Sequence, residues 1–165
     1  MRHLQVLFLS CLAALSGCGG NAPPAAPSSA SAPASQEAVS RIGDVTIRAS
    51  AIPTATLSEQ VARQYGIARS DATVMLLIGV RRGEGAQETA LPAQIVATAT
   101  DLRGRTHPIQ MRELRSGDPS SGQALLDYVG TVDVAAPDTL RFDVRIVREG
   151  GATSQMQFSR DFYPR

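Results

Sequence analysis

Residues 140–146 constrain the fold most, because apolar and charged side chains alternate strictly along them. Every second residue is Leu, Phe, Val or Ile, and the residues between are Arg or Asp. Successive side chains of a β-strand point to opposite faces of the sheet, which gives a period of two. The pattern therefore predicts a strand that turns its charged side chains to solvent and buries Leu140, Phe142, Val144 and Ile146.

Six further runs have the composition of strands, and Gly, Pro and Asp turn residues separate them. Residues 74–80 are apolar on both faces, which is typical of a central strand covered on both sides. The runs are residues 45–49, 72–82, 93–102, 107–114, 124–134 and a last strand on which Met156, Phe158 and Phe162 share a face. No long helix separates the later strands, which excludes parallel βαβ units. We predict a mainly β fold, an antiparallel immunoglobulin-like β-sandwich of about seven strands, with a small barrel as the alternative.

One short helix is predicted in residues 54–66, between the first and second of these strands. Thr56 and Glu59 have the spacing of a capping box, in which each side chain bonds the other residue's backbone amide. Gly66 suits the left-handed position that follows a helix. Apolar residues recur every four positions and define one face of this helix: Leu57, Val61 and Tyr65.

The N-terminus has the order of an export signal: a basic start, an apolar run over residues 4–15, and then small residues. The run is too short for a membrane-spanning helix, which needs about 20 apolar residues. Residues 15–18, Leu-Ser-Gly-Cys, resemble the bacterial lipobox. The resemblance implies a signal peptide over residues 1–17, cleavage before Cys18, and lipid on its thiol and its new amino group. The alternative is an ordinary signal peptide in which Cys18 is incidental.

The predicted setting is the cell envelope, with the membrane as a partner through the lipid on Cys18. The residue after the cysteine is Gly19 rather than Asp, and the resemblance then implies the periplasmic face of the outer membrane. Residues 18–41 are rich in Pro, Ala and Ser, a composition that does not form a packed core. We predict that they form a disordered tether and that residues 42–165 form the domain. Because Cys11 lies in the signal and Cys18 carries lipid, no disulfide is expected.

Charge and composition exclude several classes of function. The net charge is +1, and Arg alternates with acidic residues instead of forming the basic stripe that nucleic acids require. His107 is the only histidine beyond the predicted signal, so no metal site is expected. No thiol nucleophile remains, and the chain has no GxSxG elbow. We predict no nucleic-acid partner, no cofactor and no catalytic residue.

The domain as a whole resembles a bacterial family known as domain of unknown function 4426. The stretches that carry this resemblance are residues 52–54 leading into 61–70, then 99–104, 138–142 and 158–163. It covers about residues 43–163. It implies a small exported protein of Gram-negative bacteria and supplies no activity and no catalytic residues.

Residues 65–70, which join the helix to the central strand, are the best candidate for a specific contact. A partner-binding groove there would use Tyr65 and Arg69, and Arg103 in a later turn is a further candidate. The alternative is structural, with Arg69 bonding the last carbonyls of the helix. We expect a non-catalytic module that binds an envelope protein or supports envelope assembly. The alternatives are a hydrolase with a carboxylate-based site and a purely structural envelope lipoprotein.

Overall fold

The computed structural model describes residues 37–117 and 125–164. In this part of the chain, ten strands form two antiparallel sheets, and one α-helix packs against the first. The elements are β1 (Glu37–Ile42), β2 (Val45–Pro53), α1 (Glu59–Gln64), β3 (Thr73–Arg82), β4 (Thr89–Ala90), β5 (Ala93–Thr100), β6 (Thr106–Ile109), β7 (Arg112–Ser116), β8 (Leu125–Asp133), β9 (Asp138–Arg148) and β10 (Thr153–Phe162).

The strand order is that of an immunoglobulin-like sandwich. The first sheet has the order β1-β2-β3-β8-β7, with the short β4 paired to the end of β3, and the second has the order β10-β9-β5-β6. Without β1 and β4, these orders correspond to A-B-E-D and G-F-C-C′ of immunoglobulin domains. The predicted antiparallel sandwich is therefore confirmed. The first strand, β1, is an addition beyond the position of strand A.

The main core lies between the two sheets and contains the side chains that the alternation of residues 140–146 predicts. Leu140, Phe142, Val144 and Ile146 are at most 1% exposed, whereas Arg141 and Arg145 are exposed. On β10, Met156 and Phe162 are buried and Phe158 is half-buried. The Phe158 ring stacks on Phe142, with 5.0 Å between the ring centroids. The predicted inside and outside of both strands are confirmed.

A second, smaller apolar cluster lies on the outer face of the first sheet, beneath α1. Its buried members come from the helix segment and from three strands: Leu57, Ala62, Met75, Leu114 and Val129. The predicted helix face packs here, because Leu57 is buried and Val61 and Tyr65 are half-buried against this cluster. The prediction left out Ala62, which is the buried residue of α1. With the sandwich core on its other side, β3 is covered on both faces at this end, as predicted.

As predicted, the helix follows the strand that begins at Val45 and precedes the strand that begins at Thr73. These strands are β2 and β3, because β1 comes before them in the chain. Its cap also differs from the prediction. Ser58 is the N-cap and its hydroxyl accepts a hydrogen bond from the Val61 amide at 3.2 Å. Thr56 belongs to a preceding 3-10 turn (Thr54–Thr56) and so does not pair with Glu59. Gly66 has φ 59° and ends the helix in the left-handed conformation, as predicted.

Two boundaries differ from the sequence prediction. Residues 37–41, assigned to the tether, are part of β1, since hydrogen bonding to β2 stabilises a segment that buries little apolar surface. The strand predicted over residues 107–114 is two strands, β6 and β7, which belong to different sheets. The chain crosses between the sheets at Gln110, next to Gly130. A Cβ atom on Gly130 would lie 2.8 Å from the Gln110 carbonyl oxygen, so the crossing requires glycine.

The predicted signal, Cys18 and most of the predicted tether lie outside the described residues. In residues 37–117 and 125–164, no helix is long and apolar enough to cross a membrane.

Candidate functional site

The connection from α1 to β3 borders a cleft of about 350 Å³ on the outer face of the first sheet. We call it the α1–β3 cleft. It is lined by residues 66–68, Thr73, Gln110, Arg112, 129–131 and Asp133. The structure thus places the segment that the sequence singled out beside a concave surface.

Hydrogen bonds fix the connection from α1 to β3, part of which lines the cleft. Thr54 is fully buried, and its hydroxyl both donates to the Ser70 carbonyl at 3.1 Å and accepts from the Ser70 amide at 2.8 Å. The Ala55 amide also donates to the Ser70 carbonyl, at 3.2 Å. The Arg69 guanidinium donates to the Ala55 carbonyl at 2.9 Å. The connection is therefore attached to the 3-10 turn at four points.

The C-terminus of the helix is closed by a different arginine from the one predicted. The Arg112 guanidinium, on β7, donates to the Tyr65 carbonyl. A cation at this position satisfies a free carbonyl and opposes the negative end of the helix dipole. The alternative interpretation of Arg69 as the group that bonds the last helix carbonyls was therefore wrong, because Arg69 bonds the 3-10 turn instead.

The cleft has a mainly polar lining with one charged group of each sign. Ile67 provides apolar surface, whereas Val129 is fully buried. The Asp133 carboxylate accepts from the Thr73 hydroxyl at 3.3 Å, and the Arg112 guanidinium stands on β7. Such a surface can hold an extended peptide backbone and select side chains by charge.

Arg103 lies on the second sheet, in the turn between β5 and β6, so the fold places it on a different element from Tyr65 and Arg69. Its side chain is exposed, and its amide donates to Asp101 at 2.9 Å. Tyr65 and Arg69, by contrast, share the α1–β3 connection. Their proposed roles as partner contacts stay predictions.

Asp101 organises the turn that carries Arg103, a role that the sequence analysis missed. The residue is 6% exposed, and its carboxylate accepts from the Arg105 amide at 2.9 Å and the Arg105 Nε at 2.8 Å. His107 Nε2 lies 3.5 Å from the same carboxylate. Burial raises the pKa of Asp101, but the hydrogen bonds from Arg105 and His107 outweigh it and lower the pKa to about 2. The sequence signal for this role was an Asp at the first position of a turn, where its side chain commonly bonds the backbone that follows.

Two more carboxylates on the outer face of the first sheet are held by arginines. Arg81 donates to Asp127 at 2.5 Å, and the pair is largely buried. Arg48 makes a two-pronged contact with Glu88, at 2.9 and 3.1 Å. The hydrogen bond from Arg48 lowers the pKa of Glu88, against a smaller rise from burial. The contact with Arg48 therefore stabilises Glu88 in its ionised form.

In residues 37–117 and 125–164, no three His, Cys, Asp or Glu side chains lie together in a way that would hold a metal ion.

Comparison with known proteins confirms the family resemblance. The sequence profile of the family "Domain of unknown function (DUF4426)" matches residues 39–165. A crystal structure of a DUF4426 family protein from Pseudomonas aeruginosa PAO1 is similar to this chain, with a TM-score of 0.63 and 21% sequence identity. The similarity covers 79% of this chain and 97% of that one, and at this identity it shows the fold alone. No curated protein matches. Because the family profile covers well over half of the chain, from Val39 in β1 through β10, the chain belongs to the DUF4426 family.

Proposed function

We propose that the protein is an envelope lipoprotein, attached through lipid on Cys18 to the periplasmic face of the outer membrane, whose sandwich binds a partner protein without catalysis. The lipobox-like residues 15–18 and the Pro- and Ala-rich stretch after them support the attachment. Acyl chains contribute about 0.8 kcal/mol per buried CH₂, so more than one chain gives stable anchoring.

The observation that carries the binding role is the built wall of the α1–β3 cleft. Thr54 and Arg69 hold the connection from one side, and Arg112 holds the helix end from the other. A surface that is already ordered loses less conformational entropy when it binds, which favours affinity. The occupant that fits is an extended segment of an envelope protein that carries both a basic and an acidic side chain, facing Asp133 and Arg112.

The lowered pKa values of Asp101 and Glu88 favour binding over a carboxylate-based hydrolase. A general acid of this kind needs a raised pKa, so that it still holds its proton near neutral pH. Asp101 and Glu88 have lowered pKa values because arginines donate hydrogen bonds to them.

Site-specific photocrosslinking in cells tests the binding role. A photoreactive side chain is placed at Ala68, which lines the cleft and is exposed, and as a control at Gln157, which is exposed on β10. We expect one dominant adduct from position 68 that is absent from position 157. The captured protein is identified by mass spectrometry, and a crosslinker placed in its mapped peptide should label the cleft in return. No adduct from position 68, or the same adducts from both positions, would contradict the proposal.

A further inference from the structure

We propose that β1 pairs with β1 of a second copy of this chain, antiparallel and centred on Val39, so that two first sheets join into one continuous sheet. The inference concerns the edge of the first sheet opposite to β7. It is independent of the α1–β3 cleft, because that cleft lies next to β7 and contains no residue of β1.

The hairpin geometry determines which backbone groups of β1 face outward. Ile42 pairs with Val45 across a two-residue turn that begins with Gly43, at φ 61°. A pair that closes such a turn exchanges hydrogen bonds, and bonded and non-bonded pairs then alternate along the strands. Ser40 and Ala38 therefore bond β2. The amides and carbonyls of the other three residues point away from the sheet: Glu37, Val39 and Arg41.

This edge is exposed and carries apolar side chains. Among the described strands, β1 pairs with β2 only. Val39 is 48% exposed and Ile42 is 41% exposed. A row of outward backbone groups beside exposed apolar side chains is a template for another strand.

The charges on β1 specify a second copy in one orientation. Glu37 and Arg41 lie two residues to either side of Val39, on the same face of the strand. In an antiparallel pair centred on Val39, each Glu37 lies opposite the other chain's Arg41, and the two Val39 side chains meet. The three outward residues of each chain then form hydrogen-bonded pairs, because they are spaced by two. A parallel pair would bring like charges together, which is destabilising.

The size of the contact sets the expected strength. Stable interfaces bury about 1,200–2,000 Å² in total, more than the edges of two six-residue strands provide. We therefore expect a weak two-fold dimer that forms with rising concentration.

The first experiment is sedimentation equilibrium of the full chain in mild detergent, from micromolar to millimolar concentration, with charge variants. Glu37→Arg places arginine opposite arginine twice, and we expect the dimer Kd to rise about tenfold or more. Adding Arg41→Glu restores opposite charges, and we expect a Kd within about threefold of the wild type. A chain that is monomeric at every concentration would overturn the proposal, as would a dimer that the single variant does not weaken.

A second pair of variants separates loss of the edge from loss of the fold. Val39→Pro removes an outward amide, and Ser40→Pro removes an amide that bonds β2. We expect Val39→Pro to abolish the dimer with little change in unfolding temperature, whereas Ser40→Pro should lower that temperature. A dimer that survives Val39→Pro would contradict the pairing.

Disulfide crosslinking tests the register. Hydrogen-bonded antiparallel partners have Cα atoms about 5.5 Å apart, within disulfide range. Chains with Glu37→Cys mixed with chains with Arg41→Cys should crosslink faster than either variant alone. The wild type, which lacks both new cysteines, is the control for background crosslinking. Equal rates for the mixture and for Glu37→Cys alone would refute this register.

Discussion

Truncation of Phe142 to alanine tests the inside and outside of the sandwich. The side chain is fully buried at the middle of β9, which is paired on both sides by β10 and β5. A Phe→Ala change in a core costs about 3–5 kcal/mol, and part of that cost depends on whether the surroundings collapse into the cavity. Because two paired strands hold the walls apart and the stacked Phe158 ring loses its partner, we expect about 4–5 kcal/mol.

The assay is urea unfolding followed by circular dichroism and tyrosine fluorescence, since the chain has 3 Tyr and no Trp. With an m-value of about 2 kcal/mol/M, the midpoint should fall by about 2 M. Arg141→Ala, the exposed neighbour on the same strand, is the matched control and should change stability by less than about 0.5 kcal/mol. Equal midpoints for the Phe142 and Arg141 variants would refute the assignment of faces.

Three further substitutions test other parts of the structure. Thr54→Val leaves the Ser70 amide without its hydrogen-bond acceptor, and urea unfolding should show a loss of about 1–3 kcal/mol. Gly130→Ala places a Cβ atom 2.8 Å from the Gln110 carbonyl oxygen, so the Tm should fall by the equivalent of about 1–3 kcal/mol. The pKa of Asp101 falls from 3.8 to about 2 on folding, so its carboxylate stabilises the fold above pH 3.8 and this contribution disappears as the pH falls to about 2. Asp101→Asn should therefore be less stable at pH 7 and should lose less stability than the wild type between these pH values.

Each of these three substitutions has a matched control. Thr56→Val removes an exposed hydrogen bond of the same turn, from the Thr56 hydroxyl to the Pro53 carbonyl, and Asp71→Asn changes an exposed carboxylate. Gly79→Ala adds a Cβ atom 3.1 Å from the Asp127 carboxylate, a less close approach than at Gly130, and it should destabilise less than Gly130→Ala. If a control variant loses as much stability as the test variant, the contact named for the test variant does not provide the stabilisation.

The sequence predicted the strands whose burial is decided locally. Alternation along β9 and β10 identified the buried faces because one residue in two meets the opposite sheet. The pattern over residues 107–114 gave one strand instead of two, since apolar residues continue through the crossing between sheets. The break depends on Gly130, a distant residue that lets the crossing chain pass. The strand β1 was missed because hydrogen bonds to β2, not apolar burial, define it.

The candidate site was only partly predictable, because several of its contacts also join residues that are far apart in the sequence. The end of the helix at Gly66 is a local signal, and it pointed to residues 65–70. The partner that closes the helix, Arg112, lies 47 residues from Tyr65 in the sequence, so no spacing rule connects them. The bonds between Thr54 and Ser70 likewise join residues that are close only in the folded chain.

The measurement that bears most directly on the proposed role is the intact mass of the mature protein isolated from membranes. A lipid-attached module should begin at Cys18 and carry a diacylglyceryl group on the thiol and an acyl chain on the amino group. Digestion should place both modifications on the N-terminal peptide. An unmodified N-terminus beyond residue 18, in protein recovered from the soluble fraction, would contradict the attachment on which the proposed function rests.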